Sequence, residues 1–598
     1  MRHSVADARK PFRRWKTLGS PSGGSDIRIR ILYAGAVFFA LCIMAKLVFV
    51  QLIDHAFYEA LASGQHQLFQ ELIPERGDIF VHDTKDGTLV AVATNELKAF
   101  LYADPRQVKD SQMIAKTLGQ ILEWDEEKTM ELAGRLSNEK DPYEPIAREV
   151  NENRLQQVIA AGLEGIGYVR EPARIYPESG LGGHVFGFVG FDHEGYRSGK
   201  YGIEGYFDKD LTGIPGFLRS ERDLAGRLIA IGERSYEPAV DGADIILTLD
   251  RTVQFTVCSK LVETVRKHDA DGGSIVILEP STGRILAMCG VPDFDSNQYN
   301  KVPDITAYNN PAIFDSYEPG SIFKSMTMAA AIDTGSVNPM TLFEDTGSVL
   351  VDGWPKPIAN AENKKYGVVT MTDVLDNSIN TGVIFAMRQM GMDPFVSAVK
   401  DFGFGKKTGV EMETEAAGNI SSLDIGEEIY AATASFGQGI TVTPLQMAAA
   451  YAAIANGGVL LEPHIVDEIR YTDGRVDKKA VKEVRRVIQE KTARLVGAML
   501  VSVVENGHGK RAGVPGYYIG GKTGTAQVPK KDGGGYDSDI TIGSFAGFGP
   551  INDPRFVMVV RIDNPKDIRW AESTAAPLFG EIADFLLRYY EIPPERPL

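Results

Sequence analysis

Hydrophobic patterning divides the chain into three stretches. Residues 31–53 (ILYAGAVFFALCIMAKLVFVQLI) are apolar except for Lys46, and as a helix they predict a span of roughly 34 Å, enough for a bilayer core. Residues 54–240 mix short strand-like runs with a charged helical patch (SNEKDPYEPIAREVNENRLQQVIAAG) and a glycine-rich stretch around 180–216. From Asp244 onward the apolar segments lengthen. Asp244–Asp250 reads as a strand, 253–267 as a helix, and GGSIVILEPSTGRILAMCG as a hairpin turning at Ser281-Thr282-Gly283. The chain closes with SFAGFGP, the strand RFVMVVRID and a helix over STAAPLFGEIADFLLRYYE. Helices and strands alternate unevenly, with hairpins at both ends, which predicts an α+β domain: an antiparallel sheet flanked by helices.

Between these hairpins lies a run rich in Ala and Met, FKSMTMAAAIDTG, which reads as a buried helix stopped at Gly335. Tyr317-Glu318-Pro319-Gly320 before it is turn chemistry, so Ser321 is expected to open the helix with its N–H unpaired. Ser321 and Lys324, three residues apart, then share a face, where the amine can activate the hydroxyl as a nucleophile. That role requires a lowered lysine pKa, which burial and a second cation favour. Ser378 and Asn380 fall between an amphipathic stretch (VVTMTDVLDN) and another helical one (TGVIFAMRQMG), a place that suits holding Lys324 and relaying a proton, or simply capping a helix. Lys522-Thr523-Gly524 lies in the β-prone run GYYIGGKTGTAQV, followed by the glycine-rich PKKDGGGYD. Lys522 is the second cation; with Thr523 it suits a carboxylate, Gly524 permits close approach of a substrate backbone, and the Thr525 N–H suits an oxyanion.

An S-x-x-K, an S-x-N and a K-T-G in this order form the set of the serine acyl-transferases that react with penicillin. The chain resembles the class B penicillin-binding proteins, membrane-anchored peptidoglycan D,D-transpeptidases, and most of all their division and sporulation branch. The likeness extends beyond the three motifs to Arg76-Gly77-Asp78-Ile79, Arg174-Ile175-Tyr176-Pro177, Gly202-Ile203-Glu204, Gly437-Gln438-Gly439 with Thr443-Pro444-Leu445-Gln446, and Thr574-Ala575-Ala576-Pro577. One departure stands out: Ala571-Glu572 occupies the place of a frequent glycine pair, a change expected to affect local packing.

The resemblance implies a basic tail (1–30), a transmembrane anchor (31–53), a non-catalytic pedestal of the dimerisation type (54–240) and a transpeptidase domain (241–598) with an all-helical lobe beside the sheet. It implies Ser321, Lys324, Ser378, Asn380 and Lys522 as catalytic residues, with Thr523, Gly524 and Thr525 binding substrate. It further implies peptidoglycan stem peptides and β-lactams as ligands, and a polytopic membrane glycan polymerase and other divisome proteins as partners.

Charge sets the orientation. Eight basic residues and two acids (Asp7, Asp26) precede the apolar run, and the next Lys or Arg after it is Arg76, so the positive-inside rule places the N-terminus in the cytoplasm and the remainder outside. Ala60-Leu61-Ala62 formally matches a signal-cleavage pattern, but it sits in HAFYEALASGQHQLF, which reads as a helix; an uncleaved anchor is expected. Lys46 then snorkels to the headgroups or faces a partner helix. The net charge is −17; setting aside +6 in the tail and +1 at Lys46, the outer part carries −24, which argues against nucleic acid.

Cys42 lies in the apolar run, and Cys258 and Cys289 are read as small core residues rather than a disulfide framework. No cofactor is indicated. Two rival readings are a hydrolase (D,D-carboxypeptidase or β-lactamase) and a catalytically silent scaffold. A class A lactamase needs a Glu-x-x-Asn carboxylate for deacylation, and the region offering Glu411, Glu413 and Glu415 puts Asn419 one residue too far from Glu415.

Overall fold

The computed structural model describes residues 25–48, 67–178, 180–191, 197–221, 235–530 and 535–597. The chain forms two compact units, residues 1–72 with 216–238, and residues 73–215 with 239–598. In the first, Ser25–Val48 is a helix, and Gln67–Leu72, Gly216–Glu221 and Ser235–Glu237 form a three-stranded antiparallel sheet. The helix covers the expected anchor only as far as Val48; residues 49–53 and the Ala60-Leu61-Ala62 pattern lie outside the described residues. Among the described residues no helix is long and apolar enough to cross a membrane. Of the helix expected over HAFYEALASGQHQLF, residues 55–66 lie outside the described residues and the last three, from Gln67, are strand.

The second unit contains a seven-stranded sheet and a five-stranded one. The seven-stranded sheet is built on β1 (Ile79–Asp83), the long β2 (Thr88–Ala103), β3 (Glu144–Val150), β4 (Ile166–Ile175) and β5 (Asp244–Asp250). The charged patch expected to be helical is divided: residues 137–143 are turn and irregular, the middle stretch is β3, paired with β2, and only Glu152–Ala160 is helix. Pairing on the sheet overrides local helix propensity there. β5 lies parallel to β1, so the strand expected to open the catalytic region is shared with the N-terminal one.

Three sequence-distant motifs meet beside this sheet. Glu204 is fully buried; Arg174 Nε donates to its Oε1 at 2.6 Å and Arg76 Nε to its Oε2 at 2.8 Å. Arg76 Nη1 continues to Asp208 at 2.8 Å, and Tyr176 Oη donates to Glu204 at 3.2 Å. A fully buried carboxylate resists ionisation, but the two guanidinium groups outweigh burial and hold Glu204 below the usual range.

The five-stranded sheet carries the C-terminal core. After β5 the chain forms α1 (Arg251–Lys267), then the hairpin β6 (Gly272–Leu278) and β7 (Ile285–Val291). The helical lobe follows, with α2 (Lys324–Asp333), α3 (Met371–Asp376), α4 (Asn380–Met390), α5 (Pro444–Ala455) and α6 (Glu490–Glu505). The chain returns through β8 (Gly520–Pro529), β9 (Tyr536–Gly549), β10 (Phe556–Asp563) and α7 (Ala575–Tyr589). The strand order is β7-β6-β10-β9-β8, antiparallel throughout.

Both faces of β10 are buried, which explains the apolar run FVMVV that opens it. Phe556, Met558 and Val560 join the core containing Leu261 of α1 and Phe579 and Leu586 of α7, while Val557 and Val559 join the core of the helical lobe with Leu445 and Tyr451 of α5. Cys258 and Cys289 are not free core thiols: they form a disulfide joining α1 to β7. The hairpin return brings Cys289 under α1, a proximity that spacing along the chain does not reveal.

Candidate active site

Ser321 lies in a 3-10 turn, Gly320–Phe323, one turn ahead of the α-helix it was expected to open. Glycines set its path. Gly320 has φ +56° and donates its N–H to Gly437 O at 3.0 Å, and a Cβ on Gly437 would fall 2.2 Å from Gly320 O. Tyr451, fully buried, donates to Ile322 O at 2.9 Å and pairs with Ser325 Oγ at 2.8 Å, anchoring the turn on α5. On the other side of the turn, Glu318 accepts from Gly439 N at 3.0 Å and Tyr536 Oη at 3.2 Å.

Lys324 opens α2, a helix buried on all sides from Lys324 to Ile332. Its ammonium is inaccessible to solvent and donates to Ser378 O at 2.6 Å, Ser378 Oγ at 3.2 Å and Asn380 Oδ1 at 2.7 Å. Burial first, then the charge of Lys522, pushes it well below the ordinary lysine value. Ser378 connects α3 to α4 at φ +55°, a conformation that costs a non-glycine residue of order 1 kcal/mol or more and concentrates at functional sites. Neither Ser378 nor Asn380 caps the helix. Asn380 is its first residue, with Oδ1 on Lys324 and Nδ2 donating to Ala359 O at 3.1 Å.

β8 is the edge strand and lies against the Ser321 turn. Lys522 is fully buried, and desolvation lowers it to about 7 even though Asp376 and Glu572 act to keep it charged. Asp376, last residue of α3, accepts from Ser502 Oγ at 2.8 Å. Gly524 meets the protein and not open cleft: a Cβ there would lie 2.9 Å from Pro319 O and 2.8 Å from Ser544 Oγ. Its glycine is required by the approach of β8 to the serine turn. Thr523 and Thr525, flanking it, line the cleft.

That cleft, about 350 Å³, is lined by Ser321, Ser378, Asn380, Thr523 and Thr525, with the two lysines buried beneath. All eight residues singled out from sequence thus fall in or directly under one cavity, except that Gly524 acts from its wall. Glu411, Glu413 and Glu415 are elsewhere: they accept from Ile465 N, Tyr201 N and Thr408 N respectively, and none lines the cleft. The cleft also contains His508 and Trp570, which no motif marked, together with Gln438 of the Gly437-Gln438-Gly439 motif and Glu572 of the Ala571-Glu572 departure. The Ala571-Glu572 departure therefore reaches beyond local packing, because it places a carboxylate in the cavity.

Residues 273–584 match the penicillin-binding protein transpeptidase domain, and residues 71–247 match the penicillin-binding protein dimerisation domain. The chain belongs to the class B penicillin-binding protein family. Its family relatives include Stage V sporulation protein D of Bacillus subtilis, 35% identical and covering 93% of this chain and 85% of that protein. Peptidoglycan D,D-transpeptidase FtsI of Escherichia coli K12 is 30% identical, covering 94% and 92%. Among solved structures of penicillin-binding proteins, penicillin-binding protein 3 of Mycobacterium tuberculosis complexed with aztreonam superposes with a TM-score of 0.66 at 27% identity, over 88% of this chain and 99% of that one. Penicillin-binding protein 2X of Streptococcus thermophilus, at 22% identity and a TM-score of 0.71, shares the fold over 87% of this chain and 80% of that one.

Proposed function

We propose that this protein is a serine-type peptidoglycan D,D-transpeptidase acting in septal or sporulation wall synthesis, and that it is acylated by β-lactams. One observation carries the assignment: Lys324, wholly buried and depressed, is held between Ser378 and Asn380 under the cleft that Ser321 lines.

Thr523, with the cation of Lys522 beneath it, holds the terminal carboxylate of a D-Ala-D-Ala stem peptide. Ser321 Oγ attacks the penultimate carbonyl while neutral Lys324 takes its proton. The N–H groups of Ser321 and Thr525 receive the oxyanion. As the C–N bond breaks, Ser378 relays the proton from Lys324 to the departing D-Ala. The amine of a neighbouring stem then attacks the ester carbonyl; the new C–N bond forms, the bond to Ser321 Oγ breaks, and the serine regains its proton through Lys324.

Residues 54–240 serve as the pedestal and 241–598 as the transpeptidase domain, in keeping with the two family matches. Residues 31–53 anchor the chain with residues 1–30 in the cytoplasm and the catalytic domain outside. The charge asymmetry supports this orientation, and the exposed apolar side chains of Leu32, Phe38 and Phe39 on the N-terminal helix support contact with the membrane. That anchor and the pedestal meet a membrane glycan polymerase and other divisome proteins. Fluorescent penicillin tests the assignment: it labels the parent covalently and leaves Ser321→Ala dark. A folded parent that takes no label, or a Ser321→Ala variant that still does, refutes it.

A further inference from the structure

The cleft has a charged rim that the three motifs do not supply. His508 Nδ1 lies 3.3 Å from Glu572 Oε2, with both side chains close to half exposed and both lining the cavity of Ser321. Each is tied by backbone to the reacting motifs. The His508 N–H donates to the carbonyl of Asp376, two residues before Ser378, at 3.2 Å, and the Ala571 N–H beside Glu572 donates to Thr525 Oγ1 at 3.2 Å. The pair therefore holds a defined place beside the strand that takes the substrate carboxylate.

Charge decides what this place selects. Glu362, the cavity's other carboxylate, is neutralised by Lys364 at 2.7 Å, whereas Glu572 faces an imidazole, which carries a full charge only when protonated. Glu572 also acts electrostatically on Lys522. A carboxylate beside the anion-holding lysine that lacks a lysine or arginine partner of its own penalises a purely anionic ligand and favours one that brings a cation. Resting on the transpeptidase assignment, we infer that Glu572 is a specificity-determining residue that selects substrates presenting an ammonium group at this rim, such as the free amine of a stem peptide's diamino acid.

Benzylpenicillin and ampicillin test this directly, since they share a carboxylate and ring system and differ by one ammonium group. The readout is the ratio of their second-order acylation rates, ampicillin over benzylpenicillin, which cancels any effect of Glu572 on Lys522 common to both. Glu572→Gln is expected to lower that ratio about two- to fivefold, the range of a partly exposed carboxylate–ammonium contact. His508→Ala, which frees the carboxylate, is expected to raise it. An unchanged ratio in Glu572→Gln, with both penicillins still reacting, overturns the inference alone. If neither penicillin acylates the parent, the transpeptidase assignment falls and the inference with it.

Discussion

Lys324 Nζ lies 2.6 Å from the backbone oxygen of Ser378 and 3.2 Å from its hydroxyl, so one strained residue supplies two of the amine's three partners. The third, Asn380 Oδ1, and the Ser378 carbonyl can only accept. When Lys324 is neutral, only the Ser378 hydroxyl among these three can turn round and donate to its lone pair. Ser378→Ala is therefore expected to slow acylation by fluorescent penicillin about a hundredfold or more, the scale of a lost proton relay. Quenched-flow labelling at several penicillin concentrations reads this, and a parent-like rate would place the relay elsewhere.

The two lysines make opposite demands on pH. Lys324 must lose its proton to act as base, and Lys522 must keep one to hold a carboxylate, so acylation should follow a bell against pH. Burial brings Lys522 to about 7, and Asp376 resists that fall. Removing the negative charge with Asp376→Asn lowers Lys522 further. The alkaline limb of the profile should then move to lower pH, with the acid limb set by Lys324. A limb that stays put, or moves upward, contradicts the assignment of Lys522 to that limb.

Gly524 has no room for a side chain. The added methyl of Gly524→Ala would press on Pro319 O and Ser544 Oγ and drive β8 from the serine turn. Overpacking of this kind costs about 1–3 kcal/mol. A lowered denaturation midpoint together with slower labelling of Ser321 is the expected result. Slower labelling at parental stability would point instead to a direct role toward substrate.

Glu204 lies far from the serine in sequence and is expected to matter for folding. Glu204→Ala leaves Arg76 and Arg174 facing each other, the latter only 4% exposed, without their shared anion. Breaking a buried pair from one side costs about 3–5 kcal/mol. Urea unfolding measures the loss, and a midpoint close to the parent's would show that water or another carboxylate replaces Glu204.

Much of the fold was legible because its signals are local. The hairpin at Ser281-Thr282-Gly283, the apolar run FVMVV that opens Phe556–Asp563 and the final amphipathic helix each depend on periodicity and turn chemistry within a short window. The split of the charged patch at Glu144–Val150 was not legible, because strand pairing with Thr88–Ala103 decided it. Cys258 and Cys289 likewise look like separate core residues until the hairpin folds under the helix.

For the site, sequence alone determined the reacting groups: a serine with a lysine one turn on, a polar connection, and a cationic strand, all set by short-range spacing. Tertiary structure decided their state. Only the assembled fold buries Lys324 and Lys522 completely, sets Asp376 and Glu572 near the latter, and closes Gly524 against Pro319. Desolvation and charge–charge coupling depend on distances between segments that are remote along the chain. Residue order therefore reveals which groups can react, and packing determines which of them are charged.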